Sequence, residues 1–307
     1  MRLRKKANTK EMLRQLEERV VMTPKARKGR WRDVFGNDRP IHVELGMGKG
    51  QFISEMSLRY PDINFIGMDM YDELLRRANE KAELSREEKL AEGVEVPNNL
   101  RLALGNIEGV LDMFAPGEVE RIYLNFSDPW PKTRHAHRRL THPVFLDKYL
   151  VILNEDGEIH FKTDSRSLFE FSLNAFAECE LPIQNLSLDL HANGSAPNNV
   201  MTEYEMKFSS QGVNIHRVEV LVGERAVSRR RAELAERRKE RARLRVMEAG
   251  EPAAADRAGA AVERSEGQSA SLLSEVSEEL SPAYGRQGER SAQTPTILPV
   301  KGVSRTD

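Results

Sequence analysis

Ile41-His42-Val43-Glu44-Leu45-Gly46-Met47-Gly48-Lys49-Gly50 decides the fold. A short β-favouring run enters a loop in which every second residue is glycine. Gln51 to Tyr60 follows as a helix with Phe52, Ile53 and Met56 facing inward. Glycines in a strand-to-helix turn let a ligand approach the backbone closely. The spacing is G-x-G-x-G, and Gln51 stands where the dinucleotide fingerprint G-x-G-x-x-G wants glycine. Glu44, two residues before the first glycine, suits a ligand bearing positive charge better than a pyrophosphate. S-adenosylmethionine, with a sulfonium, an ammonium and no phosphate, is such a ligand.

Outward from this loop the same alternation repeats. Strands are predicted at 64–68, 100–104, 121–126, 158–162, 183–190 and 215–222, and helices at 71–88, 107–114, 143–153, 168–179 and from 201 to 208, the last capped by Thr202. Repeated strand and helix predict a mostly parallel, seven-stranded sheet with helices on both faces. Ligands in such sheets sit beyond the carboxyl ends of the strands. Gly46–Gly50, Asp69, Asn106, Asp128 and Asp164 all fall there, and this placement predicts one shared site. Asp69 can accept both ribose hydroxyls of an adenosine. For Asn106 two readings stand, an adenine contact or a cap for the helix from Ile107.

Ile122-Tyr123-Leu124 leads into Asn125-Phe126-Ser127-Asp128-Pro129-Trp130-Pro131-Lys132, in which two prolines end the strand. An acid, a flat aromatic and then cations can hold a nucleobase and its phosphates, or form an ordinary charged loop. Trp130 either stacks on a base or packs over the sheet edge. His135 and His137 have no companions at metal-ligand spacing, so no metal is expected, and they read as solvent or phosphate contacts.

The ends differ from the body. Residues 1–32 hold 12 Lys/Arg against 3 Asp/Glu, and 223–247 hold 10 against 4, while 33–222 are acidic. Basic arms on an acidic body suit a polyanion gripped at its edges. Residues 1–37 read as a basic arm with a short helix over 11–21 and an irregular link over 23–37. Residues 223–247 read as a basic exposed helix, and 248–307, rich in Ala, Ser, Gly and Glu, as disordered. One cysteine, Cys179, excludes an intramolecular disulfide framework and reads as inert core. No stretch approaches the ~20 apolar residues of a membrane span, so a soluble cytoplasmic protein without a membrane partner is expected.

Glu44-Leu-Gly-Met-Gly-Lys-Gly50, Phe65-Ile-Gly-Met-Asp69, Asn125-Phe-Ser-Asp-Pro-Trp-Pro-Lys132, Phe161-Lys-Thr-Asp164 and Thr202-Glu-Tyr-Glu205 together resemble the bacterial tRNA (guanine-N7)-methyltransferase family over residues 38–222. The resemblance implies a Rossmann-like class I methyltransferase domain. It further implies methyl transfer from S-adenosylmethionine to N7 of guanine 46 in the tRNA variable loop. By it, Glu44, Gly46, Gly48, Asp69, Asn106 and Asp128 bind the cofactor, and Asp128 is also catalytic. Lys132, Asp164, Thr202, Glu203, Tyr204 and Glu205 meet the substrate, and Arg134, His135, Ala136, His137, Arg138 and Arg139 meet the RNA. Glu203 alone reads as an exposed helix residue with no task. The family commonly has Glu at Asp69 and Asp at Asn106, and a more basic loop after Lys132.

Guanine N7 carries an in-plane lone pair and no proton at neutral pH, so its methylation needs alignment rather than a general base. Asp128 can hold the methionine ammonium or accept from the guanine N1–H and N2–H edge, and the sequence does not separate the two. Asp164 is the other candidate for that edge, against a helix-capping role. Two other functions use the same features: an NAD-linked oxidoreductase, disfavoured by the missing third glycine, and a non-catalytic RNA-binding protein. The sequence sets no oligomeric state, and a monomer is assumed.

Overall fold

The run from Ile41 to Leu45 is the inner strand of one sheet, buried along its whole length. A computed structural model describes residues 8–194 and 199–250. Its strands are β1 (Val20–Val21), β2 (Ile41–Leu45), β3 (Asn64–Asp69), β4 (Leu100–Leu104), β5 (Val119–Asn125), β6 (Leu153–Thr163), β7 (Ile183–Ser187) and β8 (His216–Leu221). They lie in the order β1-β4-β3-β2-β5-β6-β8-β7. Every pairing is parallel except those of β8, which runs against both β6 and β7. The helices are α1 (Thr9–Arg14), α2 (Trp31–Phe35), α3 (Gln51–Arg59), α4 (Asp72–Ala91), α5 (Val110–Met113), α6 (Pro143–Ile152), α7 (Arg166–Glu178), α8 (Glu203–Ser209) and α9 (Glu224–Gly250).

Alternation along the strands explains the two sides of the sheet. Val43, Leu45, Ile122, Leu124, Ile159 and Phe161 share an apolar cluster with residues of α6 and α7. On the opposite side, α3 and α4 supply Phe52, Ile53, Met56, Leu75 and Ala78 to a second cluster. There β2, β5 and β6 present His42, Glu44, Tyr123, Asn125 and Lys162, all buried. A buried polar strip on a parallel sheet is unusual, because such strands normally read apolar on both sides. It leads toward the glycine loop.

Two parts of the N-terminal region depart from the sequence reading. Val20-Val21, expected as the end of a helix, instead pairs in parallel with Leu102 and Ala103, so the sheet has eight strands rather than seven. A β-branched pair on an open sheet edge gains more from pairing than from extending a helix that already stops at Arg14. The link over 23–37 is ordered, with a 3₁₀ turn at Pro24–Arg27 followed by α2. Its anchor is Trp31, fully buried, stacked on Phe114 at 5.5 Å, with Nε1 donating to the Met113 carbonyl at 2.9 Å.

The predicted basic helix is α9, while most of the tail expected to be disordered, and residues 1–7 of the basic arm, lie outside the described residues. Among the described residues no helix is long and apolar enough to cross a membrane.

Candidate active site

The chain runs from β2 outward to β4 and then returns to β5 on the other side of β2. Crossovers therefore diverge between β2 and β5, and a crevice opens beyond their carboxyl ends. Two adjoining cavities occupy it. One, about 600 Å³, is lined by Gly46, Asp69, Asn106, Phe126, Asp128 and Trp130 among others. The second, about 520 Å³, is lined by Glu44, Gly48, Asn125, Thr202, Glu203 and Tyr204 among others. Gly46 and Phe126 border both. The single rim expected from sequence is thus two compartments with a common wall, each within the size of a small-molecule site. Asp164 lines neither, but its Oδ2 accepts from the Tyr204 hydroxyl at 3.1 Å.

The glycine loop is held by Asp69. Its Oδ2 accepts from Gly48 N–H at 3.1 Å, and its Oδ1 from Tyr71 N–H at 3.1 Å. Burial raises the Asp69 carboxyl above the usual range, and backbone N–H groups of Tyr71, Gly48 and Met70 pull it back. Gly48, at φ +57°, has open space where a Cβ would project. Gly50 at φ +75° is tighter, since a Cβ there would stand 2.5 Å from Ala78 Cβ, so α3 and α4 pack only against glycine.

Glu44 is the most perturbed acid of the crevice. Asn125 Nδ2 donates to its Oε1 at 2.9 Å, and its Oε2 has no partner among the described residues. Burial pushes the carboxyl up to about 8, against the Asn125 hydrogen bond, the Lys162 charge and, least of these, the Ile53 backbone N–H, which is too poorly aligned to satisfy Oε2. A buried carboxylate oxygen without a donor is costly unless a ligand supplies one.

After β5 the backbone turns through Phe126 at φ +52° and Trp130 at φ +40°, both left-handed without being glycine. Such strain persists only where the surroundings impose it. Arg139 does so. It is buried, donates through Nε to the Pro129 carbonyl and through Nη2 to the Trp130 carbonyl, both at 3.1 Å, and lies over the Phe171 ring at 4.4 Å. Arg139 therefore holds the loop from within and is not on the surface with Arg134 and Arg138, a correction to its grouping with RNA-facing residues. Asp128 projects from this turn, exposed, with no hydrogen bond or ion pair among the described residues. Trp130 lies under the Arg138 guanidinium at 4.9 Å and beside the His135 ring at 5.9 Å. Lys132, Arg134, His137 and Arg138 are exposed along the 3₁₀ turn Thr133–Arg138, with Ala136 half-buried.

The Thr202–Glu205 motif divides between two tasks. Thr202 caps α8 by accepting from Glu205 N–H at 2.9 Å. Glu205, expected to meet substrate, is fully buried and accepts from Lys162 Nζ at 2.6 Å, Asn199 Nδ2 at 2.7 Å and the His191 ring at 3.0 Å. Its donors leave no face open to a substrate, a correction with a plain cause. Glu203 is not idle, because it accepts from Lys49 at 2.7 Å and from Lys81, bridging the glycine loop to α4. Tyr204 is the outward member, stacked on Phe208 at 4.2 Å and 4.9 Å from Phe126. Asn106 is a cap, its Oδ1 accepting from Glu108 N–H at 3.0 Å, and it also lines the first cavity. Asp164 is not a cap, since Ser165 caps α7.

Sequence reasoning missed Lys162, the partner of Glu205. The available signal was Thr202-x-x-Glu205, a capping-box spacing whose acid lies on a helix face next to a lysine-bearing strand.

A twisted parallel sheet in this strand order, with a glycine loop after β2, an acid ending β3 and an antiparallel β8, defines a Rossmann-like class I methyltransferase. A family model described as a putative methyltransferase matches residues 38–218. A tRNA (guanine-N(7)-)-methyltransferase of Geobacillus sp. (strain WCH70) is 50% identical over 220 residues, covering 72% of this chain and 95% of that protein. The enzymes of the same description from Lysinibacillus sphaericus (strain C3-41) and Streptococcus pyogenes serotype M1 are each 50% identical over 219 residues, covering 71% of this chain and 97% and 99% of theirs. The chain belongs to the tRNA (guanine-N7)-methyltransferase family, an enzyme acting on N7 of guanine in tRNA, and the oxidoreductase reading falls.

Proposed function

We propose that the enzyme methylates guanine 46 of the tRNA variable loop, with S-adenosylmethionine as donor. The observation that carries the cofactor is Glu44, a buried carboxyl with one oxygen unpartnered beside the glycine loop. A cationic ligand supplies what that oxygen lacks, and a pyrophosphate would repel it. Glu44, Gly46, Gly48, Asp69, Asn106 and Asp128 would hold the cofactor, Asp69 through the ribose. When bound, S-adenosylmethionine supplies an electrophilic methyl on a sulfonium.

The rest is the work of this chain. Asp128 either holds the methionine ammonium or accepts from the guanine N1–H and N2–H edge, and in the second role it turns N7 toward the crevice. Asp164 and Tyr204, joined by their hydrogen bond, border the base on the other side. No side chain need remove a proton, because N7 has none, so the rate rests on alignment and exclusion of water. Lys132, Arg134, His137 and Arg138 meet phosphate along the exposed turn. Thr202, Glu203 and Glu205 seat α8, and His135 and Ala136 shape the turn beside Trp130. A tRNA substrate is met in the cytoplasm, where we place the protein.

The test uses unmodified tRNA and methyl-labelled S-adenosylmethionine, followed by reductive cleavage at N7-methylguanine. Label and cleavage at position 46 are expected, and replacing guanine 46 with adenine removes both. Label at another guanine rejects the position, and tRNA binding without transfer rejects the catalytic reading.

A further inference from the structure

We propose that α9 is a second tRNA-binding surface, made by five arginines along one side of the helix that no carboxylate among the described residues restrains. The proposal rests on tRNA being the substrate. Among the described residues, only the start of α9 is fastened to the domain. Ala226 is buried, Arg225 bonds Asp156 at 2.7 Å and Glu155 at 3.3 Å, and Arg229 bonds Asp156 at 3.2 Å and Glu158 at 3.5 Å. From 231 to 245 every residue is exposed, so packing against the domain does not account for this length of helix.

The ten cations between 223 and 247 separate into three groups. Arg225 and Arg229 dock the helix. Arg230, Lys239 and Arg243 are matched within the helix by Glu233 at 3.2 Å, Glu236 at 3.2 Å and Glu240 at 3.7 Å. Arg231, Arg237, Arg238, Arg241 and Arg245 make no side-chain hydrogen bond or ion pair among the described residues. With about 3.6 residues per turn, these five point into an arc of roughly 120°. Glu233, Glu236 and Glu240 point into a separate arc of roughly 60° on the other side. Arg231 to Arg245 spans about 21 Å along the axis.

Random scatter of charge would leave acids among those arginines. Between 231 and 245 their segregation gives one side with the acids and the paired Lys239 and Arg243, and one bare cationic side, the arrangement that suits a regular array of phosphates. Guanidinium forks take phosphate oxygens in pairs, and each contact releases a counterion. The helix lies beyond residues 38–218, where the family model matches. It is therefore an added grip, acting on affinity and not on the chemistry at N7.

Two full-length variants with the same change in net charge test the placement. Arg231→Gln with Arg237→Gln, Arg238→Gln and Arg241→Gln removes four charges from the bare arc. Lys239→Glu with Arg243→Glu changes net charge equally from outside it. Gln and Glu keep helix propensity near that of the residues replaced, and far-UV circular dichroism with cofactor titration checks the fold. For tRNA binding, the fourfold variant is expected to lower the slope of log K against log salt by about 3 to 4, with Kd up at least about tenfold at 100 mM salt. The double variant lowers the slope by less than about 1. KM for tRNA rises in the fourfold variant while kcat at saturation holds. Arg237→Gln with Arg241→Gln gives about half the slope change and serves if the fourfold variant does not fold. Equal losses in the two charge-matched variants would show a general field and no surface, and an unchanged slope in the arginine variants would make α9 a bystander. Either overturns the proposal. Loss of methylation at guanine 46 with the slope behaving as expected would strike the position assignment alone.

Discussion

Replacing Glu44 by Gln separates the charge of that carboxyl from its shape. Gln retains the oxygen that accepts from Asn125 Nδ2, so the hydrogen bond at 2.9 Å survives. In the ligand-free protein Glu44 is held up to about 8, first by burial and further by the Asp69 charge, with Asn125 and Lys162 opposing. Unfolded, it titrates near 4.5. Between these values the folded chain keeps a proton that the unfolded chain has released. Stability from this group is therefore fully present below about 4.5 and is lost as pH rises toward 8, in total about 5 kcal/mol. The Gln variant has no such dependence, so the difference in stability between the two proteins opens as pH climbs and favours the variant above neutrality. Cofactor binding runs the other way. A cation at Glu44 requires the carboxylate, so wild-type affinity falls about tenfold for each pH unit below 8, and binding near pH 7 releases about one proton. Calorimetric titration with S-adenosylmethionine at pH 6, 7 and 8, in two buffers of different ionisation heat, measures both quantities. The variant should bind weakly and release no proton from this site. A wild-type affinity flat from pH 6 to 8 with no proton release would refute a cationic ligand at Glu44.

Asp128→Ala should leave the melting temperature nearly unchanged, within about 0.5 kcal/mol of stability for an exposed site, while methyl transfer to tRNA falls at least about a hundredfold. An active Asp128→Ala enzyme would remove that residue from the mechanism. Glu205→Ala strands the Lys162 ammonium in the interior and should cost about 3–5 kcal/mol by denaturant unfolding. Pairing Lys162→Met with Glu205→Met should recover much of that loss, and no recovery would mean the two do not act as a pair. Gly50→Ala places a Cβ 2.5 Å from Ala78 Cβ on a left-handed backbone, so thermal stability should drop by about 1–3 kcal/mol or more. An unchanged melting temperature would show that α3 and α4 can move apart freely.

The sheet was legible because its signals are local. Ile41–Leu45, Asn64–Met68 and Leu100–Leu104 alternate with helices of clear periodicity, and each strand ends in Gly, Asp or Asn at the rim. Val20-Val21 was illegible because two residues carry no period, and only the open edge of β4 makes them a strand. Trp31 was hidden in a basic link, since its pocket is assembled from Met113 and Phe114, more than eighty residues away. Arg139 and Glu205 show the same limit in the site. Each sits in a motif whose neighbours face outward, and the chain does not reveal which members turn in to bind carbonyls or a lysine. Glu203 erred in the opposite direction, because Lys49 and Lys81 reach it only after α3 and α4 have packed.

Lys162 explains why these inward members belong together. It stands on β6 two residues before Asp164, on the polar side of the sheet with Asn125 and Glu44. Its ammonium donates to Glu205, to the Val200 carbonyl at 3.0 Å and to Asn199 at 3.3 Å, which seats α8 and leaves Tyr204 directed at Asp164 and Phe126. Burial lowers the affinity of Lys162 for its proton, and the Glu205 carboxylate restores part of it. A wall held by a buried ion pair gains orientation more than stability. The charge balance of the crevice then follows. With Glu44 protonated, Lys162 and Glu205 cancel. When Glu44 ionises, a further negative charge is added in a dry place near that of Asp69, and a ligand carrying one positive charge to Oε2 offsets it. The same lysine that seats α8 thus keeps Glu44 ionisable enough to receive such a ligand, and Glu44 and α8 line one cavity.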